Sequence, residues 1–306
     1  MINLDEMEAQ LAAALTEAVG RSPAAVPRAP APSPRRRPRA AVEAAAAEPP
    51  SRAPKSPPRP HAEVARPSSA PELLELGLLE EADAAMSAAA HPRDALSWTT
   101  MRALLDGRHD AARTGVEELR RLAQGTDDPQ AWSRYWVQRF WAAFQWGAED
   151  ERYEVLDHCR DRAYRFDDLQ WWGNLALLLA AMGKAEEAAR AFDDALQLVA
   201  AASHDAVRTD VVTNLIEAAA LVGDPGRVAA AGRLLRGPGG RLVVVADGAV
   251  CKGSVDRYVG LSYAALGQWA EAAECFRSAE ATHRSLGAGP LVARTVEQAS
   301  GRLAAA

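Results

Sequence analysis

The chain has 306 residues, a formal net charge of −6, 48% hydrophobic and 25% charged residues, the make-up of an ordinary globular protein. Three scattered cysteines, Cys159, Cys251 and Cys275, have no CxxC spacing and exclude a disulfide framework. No run of eighteen apolar residues is present to span a bilayer, and the first twenty residues carry Asp5, Glu6, Glu8 and Glu17 with no basic n-region, so a cytoplasmic protein is expected.

Residues 3–20 have the pattern of a short amphipathic helix. Asn3 is a good N-cap, Glu6 completes a capping box and Gly20 is a fitting stop. Leu4, Met7, Leu11, Leu15 and Val19 recur at three- and four-residue steps and make one apolar stripe. Such a helix is marginal alone in water, so it is expected to dock on the same chain, pair with a copy of itself or enter a partner's groove.

Residues 21–70 are rich in Pro, Ala and Arg, as in "RSPAAVPRAPAPSPRRRPRA". They lack the apolar surface needed to offset ordering entropy and are expected to form a disordered, partly polyproline-like linker. Ten Lys/Arg against three Glu give this segment +7. Residues 1–20 hold four acids and no base, which leaves −9 on residues 71–306. The body is therefore a poor nucleic-acid binder, and only weak contact through Arg35–Arg36–Arg37–Pro38–Arg39 is expected.

From Pro71 onward the pattern is helical and repetitive. Glycines follow an apolar helix and precede an alanine-rich one at Gly107, Gly147, Gly183, Gly223 and Gly267, at intervals of 40, 36, 40 and 44 residues. Glycine accepts the left-handed backbone of a turn between antiparallel helices. Asp224–Pro225 adds a cap followed by Pro at the first helical position. Around Gly267, Gly260 and Tyr263 are followed by Ala272, Phe276 and Ala279; around Gly183, Trp172, Leu175, Ala176 and Leu179 are followed by Ala188, Phe192 and Ala195. Both fit the tetratricopeptide pattern, in which small residues let two helices cross closely and an aromatic fills the wedge. Spacings near 40 predict helices longer than the consensus. The expected fold is an all-α, right-handed α-solenoid of about five such hairpins, with a capping helix from Pro290 to Leu303.

Chemistry is sparse. "GPGGR" at 237–241 has no Lys-Ser/Thr after it and does not make a phosphate cradle; it predicts a flexible crossing between hairpins four and five, with Leu242 to Ala246 extended. In Asp157–His158–Cys159 adjacent side chains diverge on a helix, so Cys159 is expected in the core. The six histidines show no metal spacing. No catalytic residue, metal or cofactor is expected.

Four tryptophans fall in "AWSRYWVQRFWAAFQWG", residues 131–147. Counted from the consensus, the groove-facing positions of the first helices include Met101, Trp141, Phe144, Leu177, Glu217 and Arg257, an apolar concave strip with an acid and a base near its C-terminal end. Aromatics beside an Arg are the material of interface hot spots.

The segment "GSVDRYVGLSYAALGQWAEAAECFRSAEATHRSLGAGPLVARTVEQA", with Gly253 to Tyr258, Gly260, Leu266–Gly267, Gly287–Ala288 and Ala293–Arg294–Thr295, resembles the tetratricopeptide-like C-terminal arm of large ATP-binding regulators of the LuxR type, related signalling ATPases and some class III adenylate cyclases. The resemblance covers about 95–305. It implies a sensor or protein-binding arm, and no ATPase or DNA-binding part, because the P-loop and helix-turn-helix are missing from this chain. The expected function is a non-enzymatic scaffold or sensor module of transcriptional or signalling control that holds a protein or peptide segment in its groove. The alternative is a small-molecule sensor or enzyme with a ligand enclosed by the Trp-rich second hairpin.

Overall fold

The computed structural model describes residues 69–303, apart from 90, 127, 202–208 and 236–238. The helix expected over 3–20, with Leu4, Met7, Leu11 and Leu15, lies outside the described residues, as does nearly all of the linker expected over 21–70. The described residues form thirteen helices and one β-hairpin: α1 (Ala70–Glu75), α2 (Leu79–Ala89), α3 (Pro92–Asp106), α4 (His109–Thr126), α5 (Pro129–Trp146), α6 (Glu149–Phe166), α7 (Leu169–Ala181), α8 (Ala185–Ala201), α9 (Thr209–Val222), α10 (Pro225–Gly232), β1 (Leu242–Val245), β2 (Val250–Ser254), α11 (Val255–Ala265), α12 (Trp269–Ser285) and α13 (Gly289–Leu303). This is an all-α helical-repeat fold, and all five glycines chosen from sequence stand at turns between paired helices.

Gly107, Gly183, Gly223 and Gly267 have φ between 72° and 78°, the left-handed geometry that favours glycine. Gly147 differs: its φ is −62°, which any residue adopts. A Cβ there would lie 2.6 Å from the Ala143 carbonyl oxygen, so close backbone approach, not handedness, requires the glycine. Asp224 caps α10 by accepting from the Arg227 N–H, with Pro225 at the first helical position. The crossing residues behave as the repeat pattern requires. Gly260 leaves room for Phe276, whose ring would stand 3.0 Å from an added Cβ, and Gly115 admits Thr100 of the facing helix.

Three features were not expected. A sixth, short pair, α1 and α2, precedes the five, turning at Gly77 and capped by Ser69 and Glu72 in a reciprocal box. Helix α10 has only eight residues, and Gly232 at its end faces Ser262 of α11 at a distance that would forbid a Cβ. The crossing predicted to be flexible contains an ordered antiparallel β-hairpin, with Val245 opposite Val250 and Leu242 opposite Ser254; its first strand, Leu242–Val245, falls in the stretch expected to be extended.

The hairpin decides the interior. The first helices of the pairs touch in sequence, α3 to α5, α7, α9 and α11; α11 also touches α13, and α13 returns to α3. Strand β2 packs on α3, α5, α11 and α12, and β1 on α1 and α9, so the hairpin lies against the inside of this circuit. One core cluster joins α1, α3, both strands and α13 through Leu74, Trp98, Met101, Leu242, Cys251 and Leu291.

Two glycines separate strain from crowding. Gly183 has φ 72° with nothing within 4 Å of an added Cβ, so Gly183→Ala carries only left-handed strain, about 1–2 kcal/mol. Gly253 has φ 87°, and its Cβ would sit 2.3 Å from His283 Nε2. Gly253→Ala adds about 1–3 kcal/mol of overpacking to the same strain. Urea denaturation midpoints should therefore rank wild type, Gly183→Ala and Gly253→Ala in that order.

Candidate functional site

Met101, Trp141, Phe144, Leu177, Glu217 and Arg257 all lie on the first helices of their pairs, α3, α5, α5, α7, α9 and α11. None is more than 4% exposed. The concave strip expected from sequence is covered by the chain itself. Met101 is packed with Leu242 and Cys251 of the β-hairpin. Lys252 Nζ stands 5.5 Å from the centre of the Trp141 ring, and the Arg294 guanidinium of α13 lies 4.5 Å over Phe144. Leu177 is fully buried in the main core. Glu217 and Arg257 are joined to each other and to α13. The face is not an open groove because β2 packs on α3, α5 and α11 and side chains of α13 reach α5, α9 and α11, and Phe140, Phe144 and Lys252 stand beside Trp141.

The inner face carries a dense polar network. Lys252 Nζ donates to the Asp210 carbonyl oxygen at 3.0 Å, to Thr213 Oγ1 at 2.5 Å and to Asn214 Oδ1 at 2.7 Å. Three acceptors suit the three protons of an ammonium, although burial pulls its pKa down to about 7 against the pull of Glu217. Asn214 Nδ2 donates onward to Asn174 Oδ1 at 2.7 Å. One layer away, Arg257 donates to both oxygens of Glu217, at 2.9 and 3.2 Å, and to the Tyr258 hydroxyl. Arg294 Nε approaches Glu217 at 3.4 Å. Burial alone would raise the Glu217 pKa, but Arg257 and Arg294 outweigh it and hold the carboxyl at about 2.

His283 fastens the junction of β2 and α11. Its Nε2 accepts from the Ser254 N–H at 2.8 Å, and its Nδ1 stands 3.0 Å from Thr295 Oγ1. The Thr295 hydroxyl donates to the Leu291 carbonyl, so Nδ1 carries the imidazole proton and donates. Burial and the nearby Arg257 hold this histidine neutral, with its pKa near 4.

The outward side of the second and third pairs bears the aromatic groups. Trp136 and His158 stack with centroids 3.7 Å apart and planes 6° apart, and His158 meets Trp171 edge-on. Burial, then the Arg162 charge, lowers the His158 pKa to about 4. Cys159 points into the core and burial raises its thiol pKa far above the ordinary range, so Asp157–His158–Cys159 is not a nucleophile arrangement. Near the end of α6, Tyr164 is 61% and Phe166 57% exposed. Tyr164 rests edge-on against buried Trp172 at 4.6 Å, and Arg162 lies 4.7 Å over the Phe166 ring. Sequence reasoning did not single out Tyr164 or Phe166; they lie two residues apart, on different sides of the last turn of α6, among Arg and Asp. Among the described residues no three His, Cys, Asp or Glu side chains are grouped to hold a metal, and no helix is long and apolar enough to cross a membrane.

Glu217→Gln leaves buried Arg257, and partly exposed Arg294, without their counter-charge and should cost about 3–5 kcal/mol. Because the Glu217 pKa is lower in the folded chain than its usual 4.5, its contribution is complete above about pH 4.5 and is lost as pH falls toward 2. The gap between wild-type and variant urea midpoints should therefore be widest at pH 6 and shrink through pH 3. No family model, curated protein or solved structure matches the chain.

Proposed function

We propose that the protein is a non-enzymatic, protein-binding helical-repeat module, of the scaffold or sensor kind, that presents the outward edge of α6 and α7 to a protein segment. The observation that carries this reading is the pair of exposed rings at the end of α6, Tyr164 and Phe166. Both are supported from beneath or beside: Tyr164 by the Trp172 ring, Phe166 by the guanidinium groups of Arg162 and Arg165 at 4.7 and 5.7 Å. Exposed rings braced by Trp and Arg side chains are of the residue types that dominate binding energy at protein interfaces. The inner face supports no such role in this conformation, since the β-hairpin and α13 pack on it and Lys252, Glu217 and the terminal Arg257 nitrogens are engaged within the chain. A regulatory setting, transcriptional or signalling, is part of the same proposal and rests on the likeness of residues 95–305 to sensor arms.

Removing the two rings tests it. Tyr164→Ala/Phe166→Ala should leave the thermal midpoint within about 2 °C, because exposed substitutions are worth about 0.5 kcal/mol or less. The same variant should lose, by tenfold or more in affinity, proteins captured by the wild-type chain, identified by mass spectrometry and re-measured with purified components. An unchanged set of captured proteins at unchanged affinity would overturn the assignment.

A further inference from the structure

One imidazole joins three parts of the chain at the edge of the inner face. His283 of α12 accepts the Ser254 N–H on Nε2 at 2.8 Å and donates from Nδ1 to Thr295 Oγ1 at 3.0 Å. Ser254 is the last residue of β2 and the N-cap of α11, and Thr295 lies on α13. The ring is wholly buried and has no slack, because a Cβ added at Gly253 would collide with its Nε2. The cations on the elements around it are Lys252 on β2, Arg257 on α11 and Arg294 on α13, and Arg257 acts on the ring most directly. The acids are engaged elsewhere: Glu217 of α9 with Arg257 and Arg294, Asp256 of α11 with Ser278, and Glu280 of α12 with Arg284. Burial raises the Cys251 thiol and the Tyr258 hydroxyl, so both stay neutral. Burial and Arg257 thus oppose a second proton on His283, and only the Leu291 carbonyl favours it.

That second proton goes to Nε2, where it faces the Ser254 N–H and turns a hydrogen bond into two opposed donors. The ring has no room to turn aside, so one of its two contacts has to part. We propose that His283 is an acid-sensitive latch between β2 and α13, and that a second ring proton frees α13 to swing off the inner face. Arg294 of α13 reaches Phe144 and Glu217, and Gln298 reaches Arg257, so the departure of α13 uncovers that strip. The order of titration keeps the event local. A solvated imidazole takes its proton below about pH 6.5 and the buried one at about 4, whereas Glu217 holds its charge down to about 2. The Glu217–Arg257 pair therefore outlasts the latch. Because the open form binds the proton first, the open fraction rises as pH falls below 6.5 and levels off below 4.

Hydrogen exchange of the full chain, corrected for intrinsic rates, tests the latch. Between about pH 7 and pH 4.5 the protection of α13 amides should fall about fiftyfold, the ratio for a group that titrates at 6.5 when open and at about 4 when closed. Over the same range α7 and α8 should keep their protection within about threefold. His283→Gln retains an acceptor for the Ser254 N–H and cannot titrate, so its α13 protection should also change by less than about threefold. In the unmodified chain, nitrogen NMR of the histidine rings should show Nε2 free of a proton at neutral pH and protonated over the range in which α13 opens; this arm stands whether or not the variant folds. Constant α13 protection, an equal loss in α7 and α8, a fall in His283→Gln as large as in the wild type, or an Nε2 protonated at neutral pH would overturn the proposal. None of these results bears on the Tyr164/Phe166 edge.

Discussion

The interior of this protein depends on the seating of one ammonium group. A cation moved out of water costs several kcal/mol unless its protons all find acceptors, and Lys252 finds three, all on the first turns of α9. That requirement fixes where β2 lies against α9. Every residue of β2 is buried, so a shift of one residue would place Cys251 or Gly253 opposite the acceptors and leave the amine without them. With β2 in place, the Ser254 N–H meets His283, Ser254 caps α11, and Arg257 on the first turn of α11 reaches Glu217. Stability and register are thus both set by polar contacts inside a shell of apolar ones.

Much of the architecture was legible because helix turns and close crossings are written locally. Gly107, Gly183, Gly223 and Gly267 mark backbone that other residues adopt with strain, and Gly260 with Phe276 marks a crossing. These signals need no knowledge of distant residues. The groove was read differently. Trp141, Phe144 and Glu217 lie on first helices, but Lys252 stands over Trp141 and Arg294 beside Phe144 and Glu217, and each of these partners arrives more than seventy residues later in the chain. Helical periodicity reports which way a side chain faces and is silent about what returns to cover it.

Some signals for that return were present. Helix α10 ends at Gly232 after two turns, which leaves chain to form the β-hairpin. In "VVVADGAVCKGS" Lys252 directly follows the apolar Ala249–Val250–Cys251. His283 stands beside Arg284 near the end of α12, where a base is ordinarily solvated; the tertiary approach of Gly253, which leaves space for its ring, makes it an internal fastener. Tyr164 and Phe166 escaped notice for the opposite reason, since Arg and Asp at helical spacing describe any exposed face until two helices are brought side by side.

The return of α13 onto α3, where Pro290 closes on Gly107, has a consequence for how such a chain can vary. Open solenoids lengthen or shorten by whole units because each unit touches only its neighbours. Here a duplicated or deleted pair would move Gly107 away from Pro290 and carry α9 out of reach of the strand that Lys252 anchors. Unit number is therefore a fixed quantity in this architecture, and change over time is directed to side chains on the outer surface.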